Sequence, residues 1–127
     1  MSAIIMKSYT DLEQSKKLAE ILPIESADFH FSANQSPNGY LEKPIWGNPE
    51  YADYSAFPCW SPISLLEVLP HRIDDRHTLV LGKLSANEGW YVCYDDNNGD
   101  IDYYVTNSNL IDACYTLILK LHEQELL

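Results

Sequence analysis

In the second half of this chain the hydrophobic period changes near residue 108, from that of strands to that of a helix, and this change constrains the fold more than any other feature. Before it, three segments have the alternation or the β-branched apolar content of strands: residues 78–84, 90–95 and 101–106. Asparagine and glycine residues separate these segments and favour hairpin turns. After it, residues 109–124 carry one apolar stripe at helical spacing, formed by Leu110, Ala113, Cys114, Leu117, Ile118 and Leu121. A three-stranded antiparallel meander with a C-terminal helix packed on it is therefore predicted.

Two shorter helices are predicted nearer the N-terminus, each followed by a proline that ends it. The first covers residues 11–22, where Thr10 and Glu13 have the spacing of a capping box. The second runs from Pro62 to Leu69, because proline is favoured at the first helical position and the preceding serine is a good N-cap.

Residues 23–60 contain five prolines and many aromatic side chains. The sequence predicts an ordered but irregular aromatic-rich segment there, with one weak hairpin around Asn38-Gly39. The predicted fold class is α+β: helix, irregular segment, helix, meander and C-terminal helix. It is expected to form a single domain over residues 1–127, with residues 1–9 as a disordered N-terminal tail. The side chains predicted to be largely buried are Trp60, Leu66, Leu69, Trp90, Val92, Leu117 and Leu121.

The chain is strongly acidic, with 19 acidic and 8 basic side chains and a net charge of −11. Nucleic acids and anionic membranes are bound by Lys and Arg, so this balance argues against both as direct partners. No basic residue lies between Lys83 and Lys120, a stretch that contains Glu88, Asp95, Asp96, Asp100, Asp102 and Asp112. Two interpretations stay open: a solvated acidic face that keeps the protein in solution, and a docking surface for a basic protein partner.

The three cysteines are widely spaced and include no C-x-x-C pair. Neither a zinc site nor a disulfide framework is therefore predicted, and no cofactor is expected. Reduced thiols are typical of a cytoplasmic protein, and no run of residues approaches the length of a membrane span.

Three strings carry a resemblance: residues 9–23 (YTDLEQSKKLAEILP), residues 59–61 with 65–70 (CWS and LLEVLP), and residues 112–114 with 119–123 (DAC and LKLHE). In these strings the chain resembles a family of small uncharacterised proteins encoded in prophages and mobile elements of gut Bacteroidetes. The resemblance covers both ends and the second helix, and does not extend to residues 28–57. It implies a bacterial cytoplasmic setting and a phage origin, and it implies no activity, cofactor or catalytic residue.

Residues 95–102 have the acidic composition of a calcium-binding loop. With Gly99 at the sixth position of such a loop, Tyr94 and Val105 fall at the first and last positions, where carboxylates are required. A plain hairpin turn without a metal site is therefore predicted, with weak binding of a cation at the surface as the alternative.

A small enzyme is the alternative function. His71, Asp74, Asp75 and His77 gather two imidazoles and two carboxylates from which a general base or metal ligands could be drawn. Cys59 precedes a helix start, where the helix dipole could lower the thiol pKa and create a nucleophile. The simpler interpretation of the histidines and aspartates is a polar loop, and that of Cys59 is a thiol packed in the core. No spacing of nucleophile and base or of metal ligands rises above chance, so a binding function is favoured.

The favoured prediction is a small, acidic, non-enzymatic binding or accessory protein that occupies a basic surface of a host protein or mimics DNA. The predicted binding residues, taken together as one exposed strand-and-turn face, are Asp95, Asp96, Asp100, Asp102, Tyr91 and Tyr104. Carboxylates and tyrosine rings recognise arginine by paired hydrogen bonds and by stacking. The sequence leaves the oligomeric state open.

Overall fold

A computed structural model describes residues 7–32, 43–49, 56–85 and 88–127. Within these residues the chain is a mixed α+β protein with three α-helices and two three-stranded antiparallel sheets. It comprises two compact units. One consists of Ser8–Val68, the other consists of Leu69–Leu127 together with Lys7, and each unit contains one of the sheets. The single domain predicted over residues 1–127 stays a prediction. In the described part of the chain, no helix is long and apolar enough to cross a membrane.

The first helix of the Ser8–Val68 unit, α1, spans Leu12–Ala19 and is shorter than predicted. Asp11 is its N-cap and forms a capping box with Gln14, so the predicted box of Thr10 and Glu13 is displaced by one residue. The reason is that the Thr10 hydroxyl is buried and bonds to the side chain of Ser15 at 2.8 Å. The exposed carboxylate of Asp11 therefore caps the helix in place of Thr10.

A second antiparallel sheet lies in the segment that the sequence predicted to be irregular. Its strands are β1 (Phe29–Phe31), β2 (Ile45–Trp46) and β3 (Phe57–Cys59), in the order β2-β1-β3. With two or three residues each, these strands are too short for an alternating pattern to be recognised. The expected one-sheet arrangement is therefore corrected to two sheets, while the hairpin predicted at Asn38-Gly39 lies outside the described residues.

Helix α2 spans Pro62–Val68, and the residue before it, Ser61, is the N-cap that the sequence predicted. The Ser61 hydroxyl accepts from the backbone N–H of Ser64 at 3.3 Å and donates to the carboxylate of Asp28. The fully buried Trp60 precedes this start, and its indole N–H donates to the Ser26 hydroxyl at 2.9 Å. The start of α2 is thus fixed by side chains from the segment before β1.

The predicted meander and C-terminal helix are confirmed in the second unit. Strands β4 (Thr78–Lys83), β5 (Trp90–Asp95) and β6 (Ile101–Asn107) pair antiparallel in that order. Helix α3 (Leu110–Glu123) follows the N-cap Asn109 and packs on β5 and β6. The β-branched apolar content of β4, the alternation in β5 and β6 and the helical stripe of α3 located these elements to within one residue at each end.

The core prediction is confirmed at five positions, where the side chains of Trp60, Leu69, Val92, Leu117 and Leu121 are buried. At the two other positions, Leu66 and Trp90, the side chains are partly buried. The ammonium of Lys83 lies 5.8 Å from the centroid of the Trp90 ring, which places this indole beside a solvated side chain.

The pairing of β5 with β6 contains a β-bulge. Val92 is opposite Val105, and Tyr94 is opposite Asp102, so two residues of β6 face one residue of β5 between these pairs. Tyr103, inside the bulge, has a φ of 55°, which residues other than glycine rarely adopt.

The bulge changes which face of the sheet each side chain occupies. Paired residues point to the same face, so Asp102 lies on the face of the buried Tyr94, which is the face covered by α3. Tyr104 lies on the opposite face and contacts Tyr91. Strict alternation along the strand would have placed Asp102 and Tyr104 together.

Candidate functional site

A buried histidine organises the most acidic part of the unit that contains α3. The side chain of His77, just before β4, is 2% exposed. Its Nδ1 lies 2.7 Å from Asp74 Oδ2, and its Nε2 lies 2.8 Å from Asp100 Oδ2. Asp102 Oδ2 lies 3.5 Å from the same Nε2. The ring therefore has a carboxylate at each of its two nitrogens.

This geometry requires His77 to be an imidazolium, because a carboxylate only accepts hydrogen bonds and both nitrogens must then donate. Burial lowers the pKa of His77. The hydrogen bonds to Asp100 and Asp74 and the charges of Asp74 and Asp102 outweigh that effect, so the pKa is raised. A buried positive charge thus stands among acidic side chains.

Asp74 is positioned by the backbone that follows it. Its Oδ1 accepts the N–H of Arg76 at 2.8 Å and the N–H of His77 at 2.7 Å, which is a local turn of the kind that Asp favours. These backbone hydrogen bonds, with smaller effects from the His77 ring, hold the pKa of Asp74 below its usual value. The carboxylate is therefore ionised where it meets the ring.

The turn between β5 and β6 is built in the same way. Asp95 Oδ1 accepts the N–H of Asn97 at 2.8 Å. Asp96 Oδ1 accepts the N–H of Asn98 at 2.8 Å and that of Asp100 at 3.0 Å. The backbone hydrogen bonds lower the pKa of Asp96. The turn therefore presents ionised carboxylates in fixed positions.

We call His77 with Asp74, Asp96, Asp100 and Asp102 the histidine–aspartate cluster. The cluster joins two groups that the sequence analysis kept apart, the polar link before β4 and the acidic turn after β5. His77 and Asp100 are 23 residues apart in the chain, and no local pattern indicates that they meet. The meander brings them together because β4 and β6 both begin at the same end of β5, where Thr78 and Ile101 are each opposite Asp95.

The six predicted binding residues do not form one face, so this part of the site prediction is corrected. Asp96, Asp100 and Asp102 belong to the histidine–aspartate cluster. Tyr91 and Tyr104 lie on the other face of the sheet, where Asp95 also falls by alternation from Tyr91 along β5. Tyr91, expected to be exposed, is half-buried.

Some of these side chains could hold a metal ion. Potential ligand atoms of Asp74, His77 and Asp102 lie within 4.8 Å of one another, as do those of His77, Asp96 and Asp100. A metal would have to replace a proton on the imidazolium, because histidine coordinates metals through an unprotonated nitrogen. The calcium-loop alignment places its end positions on Tyr94 and Val105, whose side chains are buried in the sheet.

The histidines and carboxylates named for the enzyme alternative are not brought together as a group. Asp74 and His77 meet, whereas His71 and Asp75 are exposed on the link. Both nitrogens of His77 already face carboxylates, so the ring offers no free lone pair to act as a general base.

Cys59 lacks the properties of a nucleophile. The side chain is fully buried, and desolvation raises the pKa of its thiol to about 11 despite hydrogen bonds from neighbouring groups. Its Sγ lies 3.3 Å from the carbonyl oxygen of Thr10, to which the thiol donates. Thiolate is the reactive form of cysteine, so this arrangement favours packing over catalysis.

No protein-family model, no curated protein and no solved structure matches this chain. The resemblance to a family encoded in prophages and mobile elements therefore stays a prediction. The function has to be inferred from the geometry of the site.

Proposed function

We propose that the protein binds a macromolecular partner with a basic surface, without turnover, through the acidic end of the β5–β6 hairpin. The observation that carries the proposal is the histidine–aspartate cluster, in which the negative charge of four carboxylates exceeds the positive charge of the one imidazolium among them. The acidic end of the hairpin therefore keeps a net negative charge after the positive charge of His77 is counted, and it attracts cations. A basic protein is the favoured partner, and mimicry of DNA is one form of the same function.

Preorganisation supports this proposal. The carboxylates of Asp95 and Asp96 each accept backbone hydrogen bonds, so little side-chain entropy is lost when they meet a partner. Each keeps a second oxygen, Oδ2, that these three backbone bonds do not use. Fixed carboxylates of this kind suit the paired donors of arginine and raise association rates through long-range attraction.

The structure also determines how the proposal is tested. Replacing all four hairpin aspartates would disturb the fold, because Asp100 and Asp102 neutralise the buried His77. The better variant is Asp95→Asn with Asp96→Asn, since the amide oxygen still accepts the turn hydrogen bonds while the charge is lost. A matched control removes two charges elsewhere, with Glu13→Gln and Glu123→Gln, both of which are exposed.

Affinity purification from the native host with mass spectrometry would identify the partner, whose Kd is then measured for each variant. We expect Asp95→Asn/Asp96→Asn to weaken binding about 3- to 10-fold, as for two exposed ion pairs. The loss should shrink between about 50 and 300 mM salt because of screening. Equal affinity for the wild type and this variant, or an equal loss in the control, would contradict the proposal.

We also propose a cytoplasmic location, which is supported by the three free, buried cysteines. A bacterial, phage-related origin is proposed on the sequence resemblance alone.

A further inference from the structure

The sheet face opposite α3 carries a tyrosine pair that the histidine–aspartate cluster does not include. The rings of Tyr91 and Tyr104 are nearly parallel, with an interplanar angle of 21° and centroids 5.8 Å apart. Tyr104 is 49% exposed, a large fraction for an aromatic side chain in a central part of a strand. Thr106, two residues further along β6 and opposite Tyr91, is also exposed on this face.

The position of Tyr91 depends on a glycine. Gly82 is directly opposite Tyr91 in β4, and a Cβ atom at Gly82 would lie 2.5 Å from the tyrosine ring. The Tyr91 ring therefore lies across the strand where no side chain stands in its way. The glycine thus leaves room for the Tyr91 ring on this face, and Tyr104 packs against that ring.

The charge around the pair favours a cation as its ligand. Asp95 shares the face and lies opposite Ile101, which is 48% exposed, so an apolar surface ends at a carboxylate. No basic residue occurs from position 84 to position 119. An electron-rich ring and a carboxylate on the same face of a sheet can together recognise a guanidinium group, the ring by stacking and the carboxylate by paired hydrogen bonds.

We propose that Tyr104, supported by Tyr91, is the docking site for an arginine side chain of the basic partner, with Asp95 as the anion that pairs with it. This inference rests on the proposed function, because it names the side chain through which the basic partner is recognised. Arginine is specified over lysine because its flat guanidinium can stack on a ring and still donate in its own plane, whereas an ammonium cannot. A nucleobase would also stack, but the acidic surroundings repel its phosphates.

Nona-arginine and nona-lysine peptides provide the test, since they have equal charge and differ in the group that can stack. We expect the wild type to bind nona-arginine more tightly than nona-lysine. Tyr104→Leu should reduce this preference about 2- to 5-fold, the size of an exposed cation–π contact. Tyr104→Phe keeps the ring and should retain the preference, while Tyr115→Leu on α3 is the matched control and should not change it.

A spectroscopic reading accompanies the affinities. Upfield shifts of the arginine side-chain protons are expected with the wild type and with Tyr104→Phe, and not with Tyr104→Leu. An arginine preference that persists unchanged in Tyr104→Leu would overturn the inference while leaving the proposed function intact. If Asp95→Asn/Asp96→Asn binds both peptides as tightly as the wild type, the proposed function itself fails, and this inference fails with it.

Discussion

His77 Nε2 lies 2.8 Å from Asp100 Oδ2, and this contact ties the link before β4 to the turn between β5 and β6. The two residues belong to different segments, so their attraction stabilises the folded meander and is absent from an unfolded chain. The relationship makes the stability of the protein dependent on the charge of one ring.

The first prediction concerns pH. The pKa of His77 is raised above its ordinary value of 6.5, so its contribution to stability is complete below pH 6.5 and is lost as pH rises through the raised pKa. The pKa values of Asp74 and Asp96 are lowered from 3.8, so their contributions are present above pH 3.8 and are lost as pH falls through the lowered values. The free energy of unfolding should therefore be highest between these limits.

Denaturant melts across this pH range, with His77→Gln as the comparison, would check the prediction. Glutamine is neutral at every pH, so the decline on the alkaline side should flatten in the variant. A wild-type protein that gains stability above pH 6.5 in step with His77 titration, followed by nuclear magnetic resonance, would show that the ring is not held as an imidazolium.

The second prediction compares two tryptophans. Trp60 is fully buried, and Trp60→Ala should lower the free energy of unfolding by about 3–5 kcal/mol through lost burial and a cavity. Trp46 is 78% exposed, and Trp46→Ala should change it by less than about 0.5 kcal/mol. Chemical denaturation of both variants measures the difference, and similar losses at the two positions would be the contrary result.

The third prediction uses two glycines with positive φ. Gly99→Ala should cost about 1–3 kcal/mol from backbone strain alone, because nothing lies within 4 Å of the added methyl group. Gly89→Ala should cost more, since its Cβ would also lie 2.2 Å from the backbone oxygen of Asn107. Thermal melts of the two variants should rank in that order, and the reverse ranking would mean that β5 and β6 approach less closely there.

The fourth prediction concerns the thiols. Burial raises the pKa of Cys59 to about 11 and that of Cys114 to about 12, and it also raises the pKa of Cys93. Alkylating reagents at about pH 8 should therefore label none of the three in the native protein and all of them after denaturation. Rapid labelling of Cys59 in folded protein, read by mass spectrometry, would favour the enzyme alternative.

Local pattern was sufficient for the second half of the chain, where β4, β5 and β6 are long enough to alternate and α3 has four turns of apolar stripe. It failed for the sheet of β1, β2 and β3, whose strands of two or three residues are too short for an alternating pattern to be recognised. It also misplaced the first N-cap, because which of two adjacent polar residues caps a helix depends on which one is buried.

The candidate site shows the same limit at the level of single residues. Asp95, Asp96, Asp100 and Asp102 could be recognised from composition, yet their division between two faces depends on the bulge at Tyr103. A bulge adds one residue to one strand, and the sequence marks it with no glycine here. The role of His77 depends on a contact between distant segments, which no window of sequence contains.

The bulge has a consequence for how this hairpin can change. Since the extra residue places the aspartates around His77 and the tyrosine pair on opposite faces of the sheet, the effects of substitutions on the two faces should be close to additive. One short hairpin can thus be altered for recognition on one side without loss of stability on the other. Deleting a single residue at the bulge would couple the two again.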